Sequence, residues 1–325
     1  MKKLGSLFAL LLIILVIAVA GCSPISITTN PSQTLTPSTT NTISTTPTTI
    51  PTTIITNITP TTPSLTPTIY PSELLTVSFL DVGQADCTVI QYGNNTMLID
   101  SGGNSGAASL IATLKNMNIS RFDVVIGTHP HEDHIGGLDA VINSFDIGTI
   151  YMPKVSNNTK TFEDVLLAIK NKGLTVTTPV PGTSFALGGD VQCIILAPNN
   201  KSYSDLNSYS MVLKITLNGR SFLFTGDAEV DSEQEMLSKG YDLKADVLKV
   251  GHHGSTSSTS SAFLTAVSPE YAVIFVGTNN TYGHPHQETL DKLNAAGIKV
   301  YRTDLSGGTI KFIVSGKNIS VSIEK

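Results

Sequence analysis

The stretch that most constrains this 325-residue chain reads T-H-P-H-E-D-H-I-G-G at 128–137, directly after the apolar run V-V-I-G. It places three histidines and one carboxylate within six positions: His129, His131, Asp133 and His134. Residues i and i+2 of an extended segment can point the same way, so the first two histidines can bind one ion while the Asp133–His134 pair turns to a second. Gly136 and Gly137 would allow a sharp turn into a helix. The pattern predicts a buried strand that ends in a metal-binding loop, with ligands that suit Zn, Mn or Fe.

All seven histidines of the chain fall into three clusters, each just after a predicted strand. The two later clusters are His252 and His253 in G-H-H-G-S, and His284 and His286 in G-H-P-H. Asp227 stands in T-G-D, after a hairpin predicted at Asn218-Gly219, and a strand-end carboxylate of this kind can bridge two ions. Unrelated structural histidines would not segregate in this way, so we expect the clusters to meet at one site.

Three further carboxylates, Asp81, Asp86 and Asp100, stand near glycines at predicted strand ends. Such residues can hold the far ring nitrogen of a metal-bound histidine. They can equally be ordinary turn residues, because Asp and Gly dominate turns. The residues alone leave both interpretations open.

Strand-like and helix-like segments alternate through much of the chain from residue 75 onward. The predicted strands are 75–82, 87–92, 97–100, 124–127, 149–152, 174–178, 191–197, 210–217, 221–225, 247–250 and 271–276, and the predicted helices are 107–117, one that begins at 138, and 162–172. This alternation indicates an α/β (α+β) protein in which helices pack outside sheets.

Residues 1–22 have the features of an export signal: Lys2 and Lys3, an apolar run, and small residues before Cys22. V-A-G-C at 19–22 resembles the lipobox of bacterial lipoproteins, which implies cleavage before Cys22 and a lipid on that cysteine. The alternative is an uncleaved anchor, although the apolar run is shorter than the roughly 20 residues of a typical span. Residues 23–72 are rich in Thr, Pro and Ser and carry no charge, so they predict a disordered tether. We therefore expect an exported domain, 73–325, held at the outer face of the cytoplasmic membrane.

The predicted domain is acidic. Of the 20 lysines and arginines, Lys2 and Lys3 precede it, which leaves 18 against 25 carboxylates. This charge argues against a broad electrostatic surface for nucleic acid. Cys87 and Cys193 lie in apolar strand-like runs and are predicted to be buried free thiols, although an exported location would permit a disulfide.

The order H-x-H-x-D-H, then T-G-D, then late histidines resembles the metallo-β-lactamase superfamily. Four motifs narrow the resemblance to the hydrolase domain of ComEC-type DNA-uptake proteins: F-L-D-V-G-Q-A-D at 79–86, L-I-D-S-G-G at 98–103, T-G-D-A-E at 225–229 and L-K-V-G-H-H-G-S at 248–255. The resemblance covers 75–325. It implies a four-layer αβ/βα sandwich with a metal site at one edge of the sheets.

The resemblance also implies a ligand set for two divalent ions, with Zn expected and Mn as the alternative. His129 and His131 would bind one ion, Asp133 and His134 the other, and Asp227 would lie between them. Asp133 would also belong to the catalytic residues.

A late histidine should complete the second metal site. The two late clusters compete for that role, and His252 or His253 could also be the ligand. We favour His284, because its spacing from Asp227 resembles that of the last ligand in related phosphodiesterases such as RNase Z. His252, His253 and Ser255 are then expected beside the substrate, in contact with a phosphate. His286 is expected to support the site or to donate a proton.

Two departures from the family pattern affect the expected chemistry. Many members have another histidine before T-G-D, where this chain has N-S-Y-S at 207–210. ComEC-like relatives tend to carry Asn and Ser there, so the difference favours that subfamily, argues against β-lactam chemistry and predicts a weakly held first ion. Ala85 replaces the usual glycine, with little expected consequence.

The function that this resemblance implies is dinuclear, metal-dependent hydrolysis of a phosphodiester, as in a phosphodiesterase or DNase, with single-stranded DNA as the leading substrate. A small phosphodiester, such as a choline-phosphate or nucleotide ester, is one alternative substrate. A lactone or carboxylic ester is a further alternative for the same fold, less favoured because of the missing histidine. A different class is a non-catalytic binding lipoprotein with a degenerate site, against which the intact ligand set argues. The sequence gives no basis for predicting a protein partner.

Overall fold

A computed structural model describes residues 74–325. The predicted signal, lipobox and tether at 1–72 lie outside these residues and stay predictions. The described part contains two sheets, and the first has eight strands in the spatial order β15-β14-β1-β2-β3-β4-β5-β6. Its strands are β1 (Leu75–Phe79), β2 (Thr88–Tyr92), β3 (Asn95–Ile99), β4 (Arg121–Ile126), β5 (Asp146–Tyr151), β6 (Val176–Thr177), β14 (Thr309–Ser315) and β15 (Asn318–Glu324).

The second sheet has seven strands in the order β13-β12-β11-β10-β9-β8-β7. These are β7 (Ser184–Gly188), β8 (Val191–Ala197), β9 (Val212–Leu217), β10 (Arg220–Phe224), β11 (Val247–Lys249), β12 (Tyr271–Ile274) and β13 (Lys299–Arg302). The hairpin predicted at Asn218-Gly219 joins β9 to β10, and both turn residues have positive φ, 52° and 80°. Two positive φ values suit the type I′ turn that Asn-Gly favours.

Eight α-helices accompany the two sheets in the described part of the chain. They are α1 (Ala107–Asn116), α2 (Glu132–Ile135), α3 (Leu138–Ser144), α4 (Lys160–Asn171), α5 (Val230–Ser238), α6 (Ser261–Val267), α7 (Gln287–Ala295) and α8 (Thr303–Ser306). Among residues 74–325, none of the helices is long and apolar enough to cross a membrane.

Alternation within the strands produces the layers. In β4, Val124 and Ile126 join the core between the two sheets, whereas Val125 joins the core beneath α1, α3 and α4. Phe79 of the first sheet stacks on Phe224 of the second, with ring centroids 6.0 Å apart. A third core lies between the second sheet and α5–α7. Burial on both faces accounts for the continuous apolar runs, and the predicted four-layer αβ/βα sandwich is confirmed.

The segments that the sequence pattern predicted are all present, but their ends differ: some strands are shorter than predicted, whereas β4 and β5 begin earlier, at Arg121 and Asp146. The predicted strand 75–82 ends at Phe79, and 210–217 begins at Val212, because the flanking residues turn toward the metal loops. The sequence pattern did not identify β7, β13–β15 or α5–α7. Cys87 and Cys193 are buried and free, as predicted.

Parallel pairing brings the predicted site residues to one edge. Strands β3, β4 and β5 run parallel in the first sheet, and β10, β11, β12 and β13 run parallel in the second. The residues that follow β4, β10 and β11 therefore emerge at the carboxyl ends of their sheets, the usual place for a site in such folds.

Candidate metal centre

The histidine loop follows β4 and leads into α2. Two glycines let this segment lie against the loop at 100–104. A Cβ added to Gly136 would stand 2.3 Å from the backbone nitrogen of Asn104, and one added to Gly137 would stand 2.4 Å from the carbonyl oxygen of Ser101. Both glycines have negative φ, −61° and −89°. They are therefore needed for close backbone contact, and not for the sharp turn that the sequence predicted.

Four side chains, which we call the inner group, bring one ligand atom each to within 4.8 Å of one another: Asp133, His134, Asp227 and His253. Nε2 of His134 lies 3.2 Å from Oδ2 of Asp227. Nε2 of His253 lies 3.1 Å from Oδ2 of Asp133 and 3.5 Å from Oδ2 of Asp227. Two imidazoles and two carboxylates form a donor set typical of zinc.

One buried atom of the inner group tests whether these residues fit a metal ion. Nε2 of His134 is buried and has no hydrogen-bond partner among the described residues. Buried polar atoms almost always have a partner, and an orphan of this kind requires an explanation. A divalent cation bound by His134 and its neighbouring carboxylates would satisfy this atom, so the donor set fits a metal.

Hydrogen bonds at Nδ1 turn both inner histidines toward the site. Nδ1 of His134 lies 2.8 Å from Oδ2 of Asp100, and Nδ1 of His253 lies 3.0 Å from the carbonyl oxygen of Phe275. A donor role for each Nδ1 leaves Nε2 free to bind a metal. Asp100 is therefore one of the supporting carboxylates that the sequence suggested. Asp81 is not, because it is exposed and its Oδ1 accepts a hydrogen bond from Gly83 N in a turn.

A buried lysine, Lys249, holds the other side of Asp227. Its side chain is only 2% exposed, and its Nζ forms an ion pair with Asp86, donates to the carbonyl oxygen of Gly226 at 2.9 Å and lies 3.5 Å from Oδ1 of Asp227. Asp227 thus faces lysine with Oδ1 and the histidines with Oδ2. Sequence reasoning missed Lys249, although a lysine inside the apolar run V-L-K-V was the available signal.

Charges in the inner group follow from these contacts. Burial alone would raise the pKa of Asp227, but His134, His253 and Lys249 together hold that pKa well below its usual value, so the carboxylate is ionised. Burial would lower the pKa of His134, but the surrounding carboxylates, Asp227 foremost, raise it well above the usual value. The pKa of His253 is raised for the same reason.

The outer group consists of His129 and His131, whose Nε2 and Nδ1 atoms lie 3.0 Å apart. Nε2 of His129 lies 4.0 Å from Oδ2 of Asp227. Nδ1 of His129 lies 3.2 Å from the hydroxyl oxygens of both Thr128 and Ser210. The segment that replaces the additional family histidine therefore contacts the back of His129 through a hydroxyl. No carboxylate among the described residues forms a hydrogen bond with the outer histidines.

Asp227 belongs to the inner group, and its Oδ2 also faces the outer group. This oxygen is 3.2 Å from His134 and 3.5 Å from His253 in the inner group, and 4.0 Å from His129 in the outer group. Nε2 of His252 approaches the same oxygen at 3.9 Å. This position suits the bridging role that the sequence predicted for Asp227.

The predicted site residues His252, His253 and His284 take different positions. His253, which we expected beside the substrate, is buried within the inner group. His284, which we favoured as a ligand, is half-buried beside it, with ring centroids 6.2 Å apart, and is not part of the four-residue group. His252 lines the cavity, with Nδ1 3.0 Å from the Ser257 hydroxyl and Nε2 near Asp227. The structure therefore gives His253 the better position for closing the second site, and the role of His284 as a ligand stays a prediction.

Ser255 and His286 support neighbouring loops. The Ser255 hydroxyl is buried and lies 3.0 Å from the Ser257 hydroxyl, which in turn contacts His252. Nδ1 of His286 accepts a hydrogen bond from Thr256 N at 3.0 Å. Ser255 lies close to His252 and His286 lies close to His284, so both are placed to position these histidines. Direct contact of Ser255 or His286 with a substrate stays a prediction.

A cavity of about 570 Å³ opens over both groups. Its described lining contains no lysine or arginine and consists of Gln84, His131, Glu132, Asp133, Asn157, Thr159, Asn207, Asp227, His252, His253, Tyr282 and His284. Any negative charge on a substrate would therefore be balanced by bound metal and histidine.

These features, a four-layer sandwich with a histidine and carboxylate site at the strand ends, define a metal-dependent hydrolase class. A family model described as the Metallo-beta-lactamase superfamily matches residues 80–278. The chain belongs to this superfamily.

Comparison with curated proteins points to competence proteins within that class. The chain is 33% identical over 264 residues to ComE operon protein 3 of Bacillus subtilis (strain 168), a match that covers 75% of this chain and 34% of that protein. It is 32% identical over 239 residues to Competence protein ComA of Neisseria gonorrhoeae, covering 73% of this chain and 32% of that protein. The match thus spans about a third of the length of these relatives. The predicted resemblance to ComEC-type proteins is confirmed.

Among solved structures, CmlA, a diiron beta-hydroxylase from Streptomyces venezuelae, superposes with a TM-score of 0.51 and 14% sequence identity, over 76% of this chain and 55% of that chain. At this identity the likeness concerns the fold alone.

Proposed function

We propose that this chain is a dinuclear metal-dependent phosphodiesterase that acts on single-stranded DNA outside the cytoplasmic membrane, tethered through a lipid on Cys22. The observation that carries the proposal is the position of Asp227, whose Oδ2 lies between the inner and outer groups. Two bound divalent ions, with zinc favoured by the donor set, would supply Lewis-acid activation of a water and stabilise the charge that develops on the ester.

The inner group would hold one ion through Asp133, His134 and His253, and the outer group would hold the second through His129 and His131. Asp227 would contribute to both. Lys249 and Asp100 keep these ligands in place without facing the cavity. Lys249 also balances the buried charge of Asp86 and Asp227.

His252 is the residue best placed to handle a proton. It lines the cavity, and its Nδ1 lies 3.0 Å from the Ser257 hydroxyl and 3.3 Å from Oε1 of Glu229. These partners orient the ring so that Nε2 faces the cavity near Asp227. An imidazole in this position can deliver a proton to the leaving oxygen of an ester.

Phosphodiesters are favoured over lactones for two reasons. The segment 207–210 supplies Asn and Ser where lactone and β-lactam hydrolases of the superfamily usually have histidine, and the sequence relatives are competence proteins. The similarity to whole competence proteins covers only part of their length, so the substrate is inferred from the site.

The test uses the full chain purified in detergent without chelator. Cleavage of bis(p-nitrophenyl) phosphate and of a single-stranded oligonucleotide is measured with added Zn or Mn, beside a lactone and a β-lactam. Metal-dependent phosphodiester cleavage that is lost in Asp227→Asn, and kept when the exposed Asp190 is changed to Asn, is the expected result. Bound metal with lactone cleavage only would replace the proposal with an ester hydrolase, and absence of bound metal would leave the binding-lipoprotein interpretation.

A further inference from the structure

Three rings form a column from the surface to the inner group. Tyr282 is 68% exposed at the mouth of the cavity, His284 is half-buried below it, and His253 is buried. The rings of Tyr282 and His284 lie 5.7 Å apart between centroids, at 20° to each other. Those of His284 and His253 lie 6.2 Å apart, also at 20°. The planes therefore continue one another in offset stacking, and the uppermost face is open to solvent.

Hydrogen bonds hold the loop that carries the two upper rings. Asn280 donates from Nδ2 to the carbonyl oxygens of His284, at 2.7 Å, and Gly277, at 3.2 Å. Its Oδ1 accepts from His284 N at 3.1 Å. The same amide thus closes both ends of the turn and fixes its height above the cavity. Tyr282 contributes little to the core, since it is among the most exposed large apolar side chains of the described residues.

The charge of the cavity limits how a nucleic acid could bind there. Proteins that hold single strands normally combine a basic groove with aromatic side chains on which bases stack. The cavity lining among the described residues offers no lysine or arginine. Inside the cavity, affinity for the part of a strand beyond the reacting phosphate would therefore depend mainly on stacking.

We propose that the open face of Tyr282 is a stacking platform for the nucleobase next to the scissile phosphodiester. This inference rests on the proposed phosphodiesterase function and names its substrate class: single strands whose bases are free. A duplex would bind poorly, because its bases are already stacked and paired. Stacking has no hydrogen-bond code, so the platform would accept every base.

The test compares two strands of equal length that share all phosphates: oligothymidylate and an abasic oligonucleotide. Binding is measured by fluorescence anisotropy and cleavage by steady-state kinetics, with metal-loaded full chain. Tyr282→Ala should raise Kd and KM for oligothymidylate about tenfold and leave kcat within about twofold, because a base–aromatic stack is lost while the metal centre is kept. Tyr282→Phe keeps the stacking face and should match wild type.

Two controls separate the platform from general effects. On the abasic strand, Tyr282→Ala should equal wild type, and Leu305→Ala, which removes another exposed apolar side chain, should change neither strand. Equal loss on both strands, or no loss on either, would overturn the stacking platform. Base-dependent binding that requires Tyr282, without cleavage by the wild type, would support the platform and remove the phosphodiesterase proposal, so the two ideas fail separately.

Discussion

Both the inner and the outer group contain two histidines, but the surroundings of these histidines differ. Behind the inner ligands lie the Asp100 carboxylate, the carbonyl oxygen of Phe275 and the Lys249 ammonium. Behind His129 in the outer group lie the hydroxyls of Thr128 and Ser210. A carboxylate behind a metal-bound histidine makes it a stronger and better oriented ligand, whereas a hydroxyl does so weakly.

Because of this difference, we expect the two groups to hold their ions with unequal affinity, although the loop motif contributes two residues to each group. We expect the inner ion to be structural in its permanence and the outer ion to exchange. A partially loaded enzyme would then keep the inner ion.

The largest effect is expected when the residue shared by both groups loses its charge. Asp227→Asn should lower kcat/KM by about 10²–10³-fold, because both ions lose a charged ligand and the developing charge loses its stabilisation. Elemental analysis should show fewer than two ions per chain. If the variant keeps two ions and full activity, Asp227 does not join the groups.

His253 and His284 are the two candidates for the late ligand of the inner ion. His253→Ala should weaken the inner ion more than about a hundredfold, since it removes a ligand rather than a supporting partner. His284→Ala should leave the inner ion bound. Metal counts on both variants decide the matter: loss of the inner ion in His284→Ala alone would restore the role predicted for His284 from its spacing.

The residues that support the metal ligands should affect the affinities of the two ions unequally. Asp100→Asn keeps a hydrogen-bonding group but removes its charge, and should weaken the inner ion by about 10–100-fold. Ser210→Ala should weaken the outer ion less than about tenfold, because a neutral hydroxyl is lost. Competition with a fluorescent chelator measures both. Equal losses would show that the surroundings of the two groups are equivalent.

Acidification should weaken the binding of the two ions unequally. The pKa of His134 is raised well above its usual value and the pKa of His253 is raised as well, so protonation of these imidazoles competes with binding of the inner ion. His129 has a pKa well below the usual value, because burial and the neighbouring His134 disfavour its charge, and has no proton to lose.

Inner-ion affinity should therefore fall about tenfold or more for each unit of decreasing pH near neutrality, and outer-ion affinity should fall less. Calorimetry in buffers of different ionisation enthalpy counts the released protons. Release of no protons with the first ion would contradict the assigned charges.

Much of the site was predictable because it is local in sequence. Strand β4 and its loop place His129, His131, Asp133 and His134 within six positions, and a buried apolar strand followed by alternating ligands has few other uses. The confinement of all histidines to strand ends also predicted that they meet, since parallel strands deliver their carboxyl ends to one edge. The sequence motifs indicated the family, and the family implied the four-layer sandwich.

The choice among the late histidines depended on backbone geometry that residue order does not reveal. His252 and His253 both have positive φ, 46° and 52°, in the tight turn Gly251–Gly254. In this left-handed turn both rings approach Asp227, but His253 is buried with Nδ1 near the carbonyl oxygen of Phe275, whereas His252 is partly exposed with Nδ1 near the Ser257 hydroxyl. Spacing in the sequence alone does not distinguish the imidazoles of His252 and His253.

Local pattern and strand direction were enough to predict an α/β protein and the sheet edge at which the histidine clusters meet, and the family motifs implied the sandwich and the ligand set. Only the tertiary structure decided that Lys249 supports Asp227, that Asp100 and not Asp81 supports a histidine, and that Tyr282 stacks above His284. The first two depend on contacts between segments far apart in the chain, and the third depends on the conformation of the loop that Asn280 holds. The packing of two sheets and their loops sets such contacts, and no short-range pattern encodes them.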